Sequence, residues 1–267
     1  MGVVNITPDS FSDGGDFLDT GQAIAHARRL VSEGADILDL GGESSRPGSS
    51  PVSLDEERWR VLPVLEKVVQ LEVPVSVDTS KPTLMREVIA NGASIINDIT
   101  ALRAAGAVDV IAESGAGVCL MHMQGVPTNM QRSPFYDDVV TEVSRFLRER
   151  ARCLLDSGVS ASRILLDPGF GFGKTDQHNL ELLHSLSEIG AGRFAVLAGL
   201  SRKSQLGRIT GRKQAKLRLG SSIAAALAAV ERGASVLRVH DVAETRDALL
   251  LWHAFKMSAK KDKAVST

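Results

Sequence analysis

Eight short apolar runs alternate with eight longer amphipathic stretches along the whole chain, and this alternation restricts the fold to a parallel sheet covered by helices. The runs fall at 2–5, 37–41, 73–78, 94–97, 117–122, 164–167, 195–199 and 236–240. Between and after them the apolar period predicts helices at 20–33, 54–71, 82–91, 105–114, 137–157, 177–189, 214–232 and 243–258. In the first of these, Ala23, Ala27, Leu30 and Val31 line one face, and Gly34 stands just past the end, where glycine often closes a helix. The long fifth stretch carries Val139, Val143, Phe146, Leu147 and Leu154 in the same way. Eight units in one direction predict a single (β/α)8 TIM barrel. An open doubly wound sheet is the competing layout, and it usually has fewer strands. A barrel needs roughly 250 residues, so one domain at 1–258 absorbs almost all of the 267 present. The basic and polar stretch 259–267 is expected to be a disordered tail.

Composition narrows the function by exclusion. The formal net charge is −1 and aromatic residues are 4% of the chain, which leaves no basic field and few stacking rings for nucleic acid, and no field for an anionic membrane. Neither class of partner is expected. Cys119 lies in an apolar run and Cys153 in a helical stretch, so neither a disulfide framework nor a cysteine metal site is expected. No apolar run approaches a membrane span, and the first residues lack a signal-peptide layout. The expected location is the cytoplasm.

Barrel enzymes place their active sites at the C-terminal ends of the strands. Those ends here are polar: Asn5, Gly41-Gly42-Glu43, Asp78, Asn97, His122, Asp167, Ser201-Arg202-Lys203 and Arg238-Val239-His240. Any one of them alone could be a helix cap, but all of them at one rim predict a single polar active site. The loops at 7–15 and 41–51 are long and rich in Gly, Pro and Ser. They read either as turn chemistry or as a pair of mobile lids. The run Gly169-Phe170-Gly171-Phe172-Gly173-Lys174-Thr175 imitates a nucleotide loop, but Pro168 and Lys174 occupy positions where the two glycine fingerprints need glycine. His122 is expected to be a supporting group rather than a catalytic one, and the basic stretch 208–218 a solvated loop.

Eight ordered segments then carry a resemblance. They are the run 2–15, Gly42-Glu43-Ser44-Ser45-Arg46-Pro47-Gly48, Ser76-Val77-Asp78-Thr79-Ser80-Lys81-Pro82, Ile96-Asn97-Asp98-Ile99, Leu120-Met121-His122-Met123-Gln124-Gly125, the run 166–174, Ser201-Arg202-Lys203-Ser204 and Arg238-Val239-His240-Asp241-Val242. In this order they resemble the signature segments of the dihydropteroate synthase family, from Gly2 to about Lys256. The resemblance implies a pterin-binding barrel and a transferase of folate biosynthesis. That reaction joins p-aminobenzoate to the diphosphate ester of 6-hydroxymethyl-7,8-dihydropterin and releases diphosphate.

It also implies roles. Asp78, Asn97, Asp167 and Lys203 match the pterin pocket, with Asp78, Asp167 and Lys203 as the catalytic set. A carboxylate at Asp167 suits the donor edge of a pterin. Asn5, Arg46, Arg238 and His240 match the diphosphate site, and Asn5 would contact a magnesium ion (Mg2+) held largely by the diphosphate. Phe11, Ser45, Pro47, Phe172 and Ser204 match the p-aminobenzoate side. Ser45 departs from the threonine common in the family, which leaves sensitivity to sulfonamides, the family's drugs, open. A homodimer is implied, as is a short segment ahead of the first strand. Two other functions remain to be separated: a methyltetrahydrofolate-binding methyltransferase module, and a non-catalytic pterin-binding relative. The first has no diphosphate to hold and does not need Arg238 and His240; the second does not need Asp167, Lys203 and both loops.

Overall fold

Strand residues point alternately to opposite faces, and each of the eight runs uses that alternation to separate packing from chemistry. The computed structural model describes the backbone of residues 1–7 and 16–265 and the side chains of 1–7 and 20–258. The strands are β1 (Gly2–Asn5), β2 (Leu38–Gly41), β3 (Val75–Asp78), β4 (Ile95–Asp98), β5 (Gly117–Met121), β6 (Ile164–Asp167), β7 (Ala195–Ala198) and β8 (Val236–Leu237). They pair in chain order in one eight-stranded sheet, and every pairing is parallel. The helices are α1 (Asp16–Ser32), α2 (Leu54–Val68), α3 (Pro82–Ala90), α4 (Ala107–Ala112), α5 (Val139–Asp156), α6 (Asp176–His184), α7 (Leu186–Gly190), α8 (Ser204–Thr210), α9 (Leu219–Glu231) and α10 (Val242–Val265). The result is a TIM-barrel-like α/β fold. At the two ends of the strand order, Val3 N donates to Val239 O at 3.0 Å and Val239 N to Met1 O at 2.9 Å.

One face of the sheet builds the main core. Val4, Leu38, Leu40, Val75, Val77, Ile96, Val118, Leu120, Ile164 and Leu166 pack with Ala23, Ala27 and Leu30 of α1, Val61 and Leu65 of α2, and Val143 and Leu147 of α5. Most of these side chains are fully buried, and each large one stabilises the fold by about 1.5–3 kcal/mol through burial. The opposite, inner face divides along the strands. Near the strand starts Met1, Cys119 and Leu197 cluster with Ile37, Leu165 and Val236. Towards the strand ends the same face carries Asp39, Ser76, Asp78, Asn97, Asp167 and Arg238.

Four boundaries differ from the sequence expectation. The stretch 177–189 is two helices, α6 and α7, because Ser185 ends one and begins the other. α8 was not foreseen, since Gly207 lowers helix propensity at its centre. β8 stops at Leu237 because the next residues change partners: Arg238 N donates to Ala198 O, but Val239 turns to Met1 and His240 N to the Ser201 hydroxyl. α10 continues to Val265, through residues expected to form a disordered tail, and its sequence holds neither Gly nor Pro to stop it.

Candidate active site

The polar strand ends are not helix caps. Among the described residues, α2, α5 and α6 are capped by Ser53, Asp138 and Thr175, and α3 follows Lys81, which makes no capping bond. Asn5, Asp78, Asn97 and Asp167 are therefore left for the inner face. The ladder sets Asn5 beside Gly41 and Gly41 beside Asp78, with Asn97 next in line. Gly41 keeps the wall open, since a Cβ there would lie 3.9 Å from both Asn5 Oδ1 and Asp78 Cβ.

At the centre is an ion network. Arg238 Nε donates to Asp39 Oδ2 at 2.7 Å, and Arg238 Nη2 lies 3.6 Å from Asp78 Oδ2. Asn97 Nδ2 donates to the same Asp39 oxygen at 3.3 Å. Burial holds the Asp78 carboxyl well above the usual range, the Asp39 charge pushes it further, and Arg238 opposes both. On the other side Asp167 Oδ1 accepts the Gly169 N–H at 2.7 Å. Burial also raises Asp167, against that bond and against the nearby Lys203 charge. Lys203 is lowered to about 8, mainly by burial, with Asp167 pulling the other way. Its Nζ sits 4.2 Å from the centre of the Phe172 ring, a cation–π contact.

His240 Nδ1 lies 3.1 Å from Ser201 Oγ, whose oxygen also accepts the His240 N–H. Burial, then the Arg238 charge, lowers His240 to about 3, so the ring is neutral near pH 7. The loop after β6 is anchored from beneath. Lys174 Nζ is 2.9 Å from His122 Nδ1 and 3.0 Å from Phe172 O, and Tyr136 donates to Gly173 O. Lys174 is buried, which removes it from any phosphate role and places His122 as the expected supporting group. Gly169 has φ +69° and no room for a side chain: a Cβ would fall 2.0 Å from His122 O.

The structure brings together Asp78, Asn97 and Arg238 through contacts, and Asp167, Lys203 and Phe172 through charge and ring contact. It does not join Arg46 to them. Arg46 is exposed on the second loop, and no ion pair to it appears among the described residues. Ser45 is half-buried, and Pro47 and Ser204 are exposed. The loop itself is ordered by Ser49, whose hydroxyl donates to Ser44 O and Arg46 O, while Gly48 N donates to Pro127 O. Phe11 lies outside the described residues. Sequence reasoning passes over Asp39, and it places Ser201 at the rim without giving it a role. Asp39 gave a usable signal, a lone charge in the apolar run 37–40, two residues ahead of Gly41 and so on the same face.

Among the described residues no three His, Cys, Asp or Glu side chains converge as a metal cage. The inner rim instead offers carboxylates and an amide at one end and Arg238 with a neutral histidine at the other. That combination suits a planar heterocycle joined to an anion. A family profile described as pterin binding enzyme matches residues 1–240. The chain belongs to the pterin binding enzyme family. Within that family it is 52% identical to a dihydropteroate synthase of Neisseria meningitidis serogroup C over 258 residues, covering 95% of this chain and 91% of that one. It is also similar to a solved Xanthomonas albilineans dihydropteroate synthase with 4-aminobenzoic acid, at 50% identity and a TM-score of 0.91, covering 96% of this chain and 92% of that one. The same enzyme in complex with 7,8-dihydropteroate matches at 48% identity and a TM-score of 0.87, with the same coverage.

Proposed function

We propose that this pterin-binding enzyme catalyses the dihydropteroate synthase reaction. The (7,8-dihydropterin-6-yl)methyl group passes from its diphosphate ester to the amine of p-aminobenzoate, giving 7,8-dihydropteroate and diphosphate. The observation that carries the reading is that Arg238 meets Asp78 directly and Asn97 through Asp39, which sets groups for a heterocycle and an anion site side by side. The 52% identity to a dihydropteroate synthase supports it.

In this reading Asp167 accepts from the amide and amino edge of the pterin, while Asn97 offers both a donor and an acceptor to the ring. Lys203 donates to the ring from beside the Phe172 face. Burial favours the neutral form of Asp78, and positive charge on the pterin methylene would favour its carboxylate form. The methylene C–O bond breaks as diphosphate leaves, the amine nitrogen bonds to the same carbon, and its surplus proton goes to solvent. No side chain forms a covalent bond to the substrate. Arg238 and His240 hold the diphosphate, and Arg46 joins them only when the second loop folds inward. Phe11, Ser45, Pro47, Phe172 and Ser204 form the p-aminobenzoate side, where a sulfonamide would compete.

Asn5 supplies one neutral oxygen at the rim, and among the described residues its amide has no other partner. That donor set fits Mg2+ carried in by the diphosphate and mostly hydrated, not a caged ion. When bound, the ion neutralises the leaving group. The sheet is read as a closed eight-stranded barrel, supported by the Val3–Val239 and Val239–Met1 bonds. Exposed Leu250, Leu251 and Phe255 on α10 support a homodimer. A cytoplasmic location is supported by the two free cysteines, and among the described residues no helix is long and apolar enough to cross a membrane.

A diphosphate-release assay with the pterin ester and p-aminobenzoate tests the function. Release that requires both substrates is expected. Pterin binding without release would point to a non-catalytic relative, and methyl transfer from methyltetrahydrofolate to the methyltransferase alternative.

A further inference from the structure

Asp39 is the one carboxylate of the inner face with no assigned task, and it is fully buried. Its Oδ2 accepts from Arg238 Nε at 2.7 Å and from Asn97 Nδ2 at 3.3 Å. Its Oδ1 has no hydrogen-bond partner, nor has the Ser76 hydroxyl at the neighbouring ladder position. A buried charge held by two donors on one oxygen is costly unless the arrangement serves something else.

We infer that Asp39 is a positioning residue: it fixes the Arg238 guanidinium for diphosphate and ties that group to the pterin-side amide of Asn97. The inference rests on the reading of Arg238 as a diphosphate residue. Engagement of Nε by Asp39 orients the guanidinium plane. Among the described residues Nη1 then has no protein partner, and its N–H groups are free for a ligand oxygen. An arginine side chain otherwise loses considerable rotamer freedom when it closes on an anion, and holding it beforehand removes that cost. Asp39 also takes up much of the Arg238 charge, and so leaves Asp78 in the raised state that its burial sets.

Two physical effects of Asp39 on an anion have opposite signs, which makes the inference testable. As a bare negative charge it repels diphosphate, so its neutralisation would strengthen binding. As a positioning residue it helps, so its neutralisation weakens binding. The measurement is calorimetry of inorganic diphosphate, in magnesium buffer, and separately of 6-hydroxymethylpterin, with the unmodified protein and with Asp39→Asn, Arg238→Ala and the double variant. Asp39→Asn is expected to weaken diphosphate by about tenfold and the free pterin by less than about threefold, and to add nothing to Arg238→Ala. In turnover it raises KM for the pterin ester and leaves KM for p-aminobenzoate unchanged. Equal or tighter diphosphate binding by Asp39→Asn, with Arg238→Ala still weak, overturns the role of Asp39 alone. Unchanged binding by Arg238→Ala overturns the Arg238 reading and this inference with it.

Should Asp39→Asn fail to fold, the unmodified protein still decides. The Arg238 Nε–H resonance, identified by its loss in Arg238→Lys, is expected to stay protected from exchange when diphosphate is added. Loss of protection on adding diphosphate would mean that Asp39 releases the arginine, and would overturn the inference.

Discussion

The inner face of the sheet has two halves built from the same strands. The lower half, at the strand starts, is a plug of Met1, Cys119 and Leu197 with Ile37, Leu165 and Val236. The upper half, at the strand ends, gathers Asp39, Asp78, Asn97 and Arg238, joined by hydrogen bonds and ion pairs, with Asp167 and Lys203 linked by charge alone. In the lower half Cys119 and Leu197 are fully buried, Ile37, Leu165 and Val236 are partly buried, and the one polar group, the Met1 amine, donates to Leu237 O at 2.9 Å. The upper half keeps raised carboxylates, a lowered lysine and two orphaned polar atoms, Asp39 Oδ1 and Ser76 Oγ. Such groups weaken a fold. Stability and chemistry are thus separated by two or three residues along each strand, and the plug compensates for the polar layer above it.

The sharpest attempt to break this division is Leu197→Ala. Removing a fully buried plug side chain should cost about 2–5 kcal/mol of unfolding free energy. Denaturant titration measures it, and pterin affinity at a temperature where the variant is folded should not change. A loss of affinity without a loss of stability would show that the halves are not separable. Asp167→Asn is the converse. It keeps an oxygen for the Gly169 N–H but loses the charged acceptor, so pterin affinity should fall roughly 100-fold with little change in the denaturation midpoint. Calorimetry that finds affinity unchanged would remove Asp167 from the pterin floor.

Acid sharpens the comparison further, because the histidine and the carboxyls with shifted pKa values lie in the upper half. His240 is lowered to about 3 in the folded protein, below its unfolded value near 6.5. As pH falls from 6.5 towards 3 the unfolded chain takes up this proton first. Stability conferred by neutral His240 is therefore complete above about pH 6.5 and is lost on acidification, at up to about 1.4 kcal/mol per pH unit. The carboxyls of Asp78 and Asp167, raised by burial, oppose this trend. The contribution is read as the difference between the unmodified protein and His240→Gln, which should flatten that part of the profile. An identical profile would mean that the histidine is not held neutral. The smallest effect is expected at the loop rim. Ser45→Thr restores one methyl, and should lower KM for p-aminobenzoate by less than about threefold, as one added methyl group allows. KM for the pterin ester should stay the same.

Much of this was legible in the sequence because it rests on period. The ends of the apolar runs mark Asn5, Asp78, Asn97 and Asp167 as a ring at one rim, and the structure sets them by alternation on the inner face. Asp39 obeys the same alternation, yet it was passed over because it lies below the strand end, where a core residue is expected. The loop residues were less legible. Arg46 shares a motif with Ser45 and Pro47, but its position depends on how the loop folds, and it stands exposed and apart. α8 was missed because Gly207 argues against a helix locally. Its lack of a side chain is required by the approach of the Arg212 carbonyl, since a Cβ would lie 2.4 Å from Arg212 O and 2.5 Å from Arg218 Nε.

The sequence by itself determined the eight units and the residue types at the rim, since these follow from spacing along one chain. Only the tertiary structure decided which charges meet. Arg238 and Asp39 are 199 residues apart and touch where the residues after the last strand meet the start of the chain. Their contact, and the burial that shifts Asp78, Asp167, Lys203 and His240, arise from the closeness of distant strands and the exclusion of water between them.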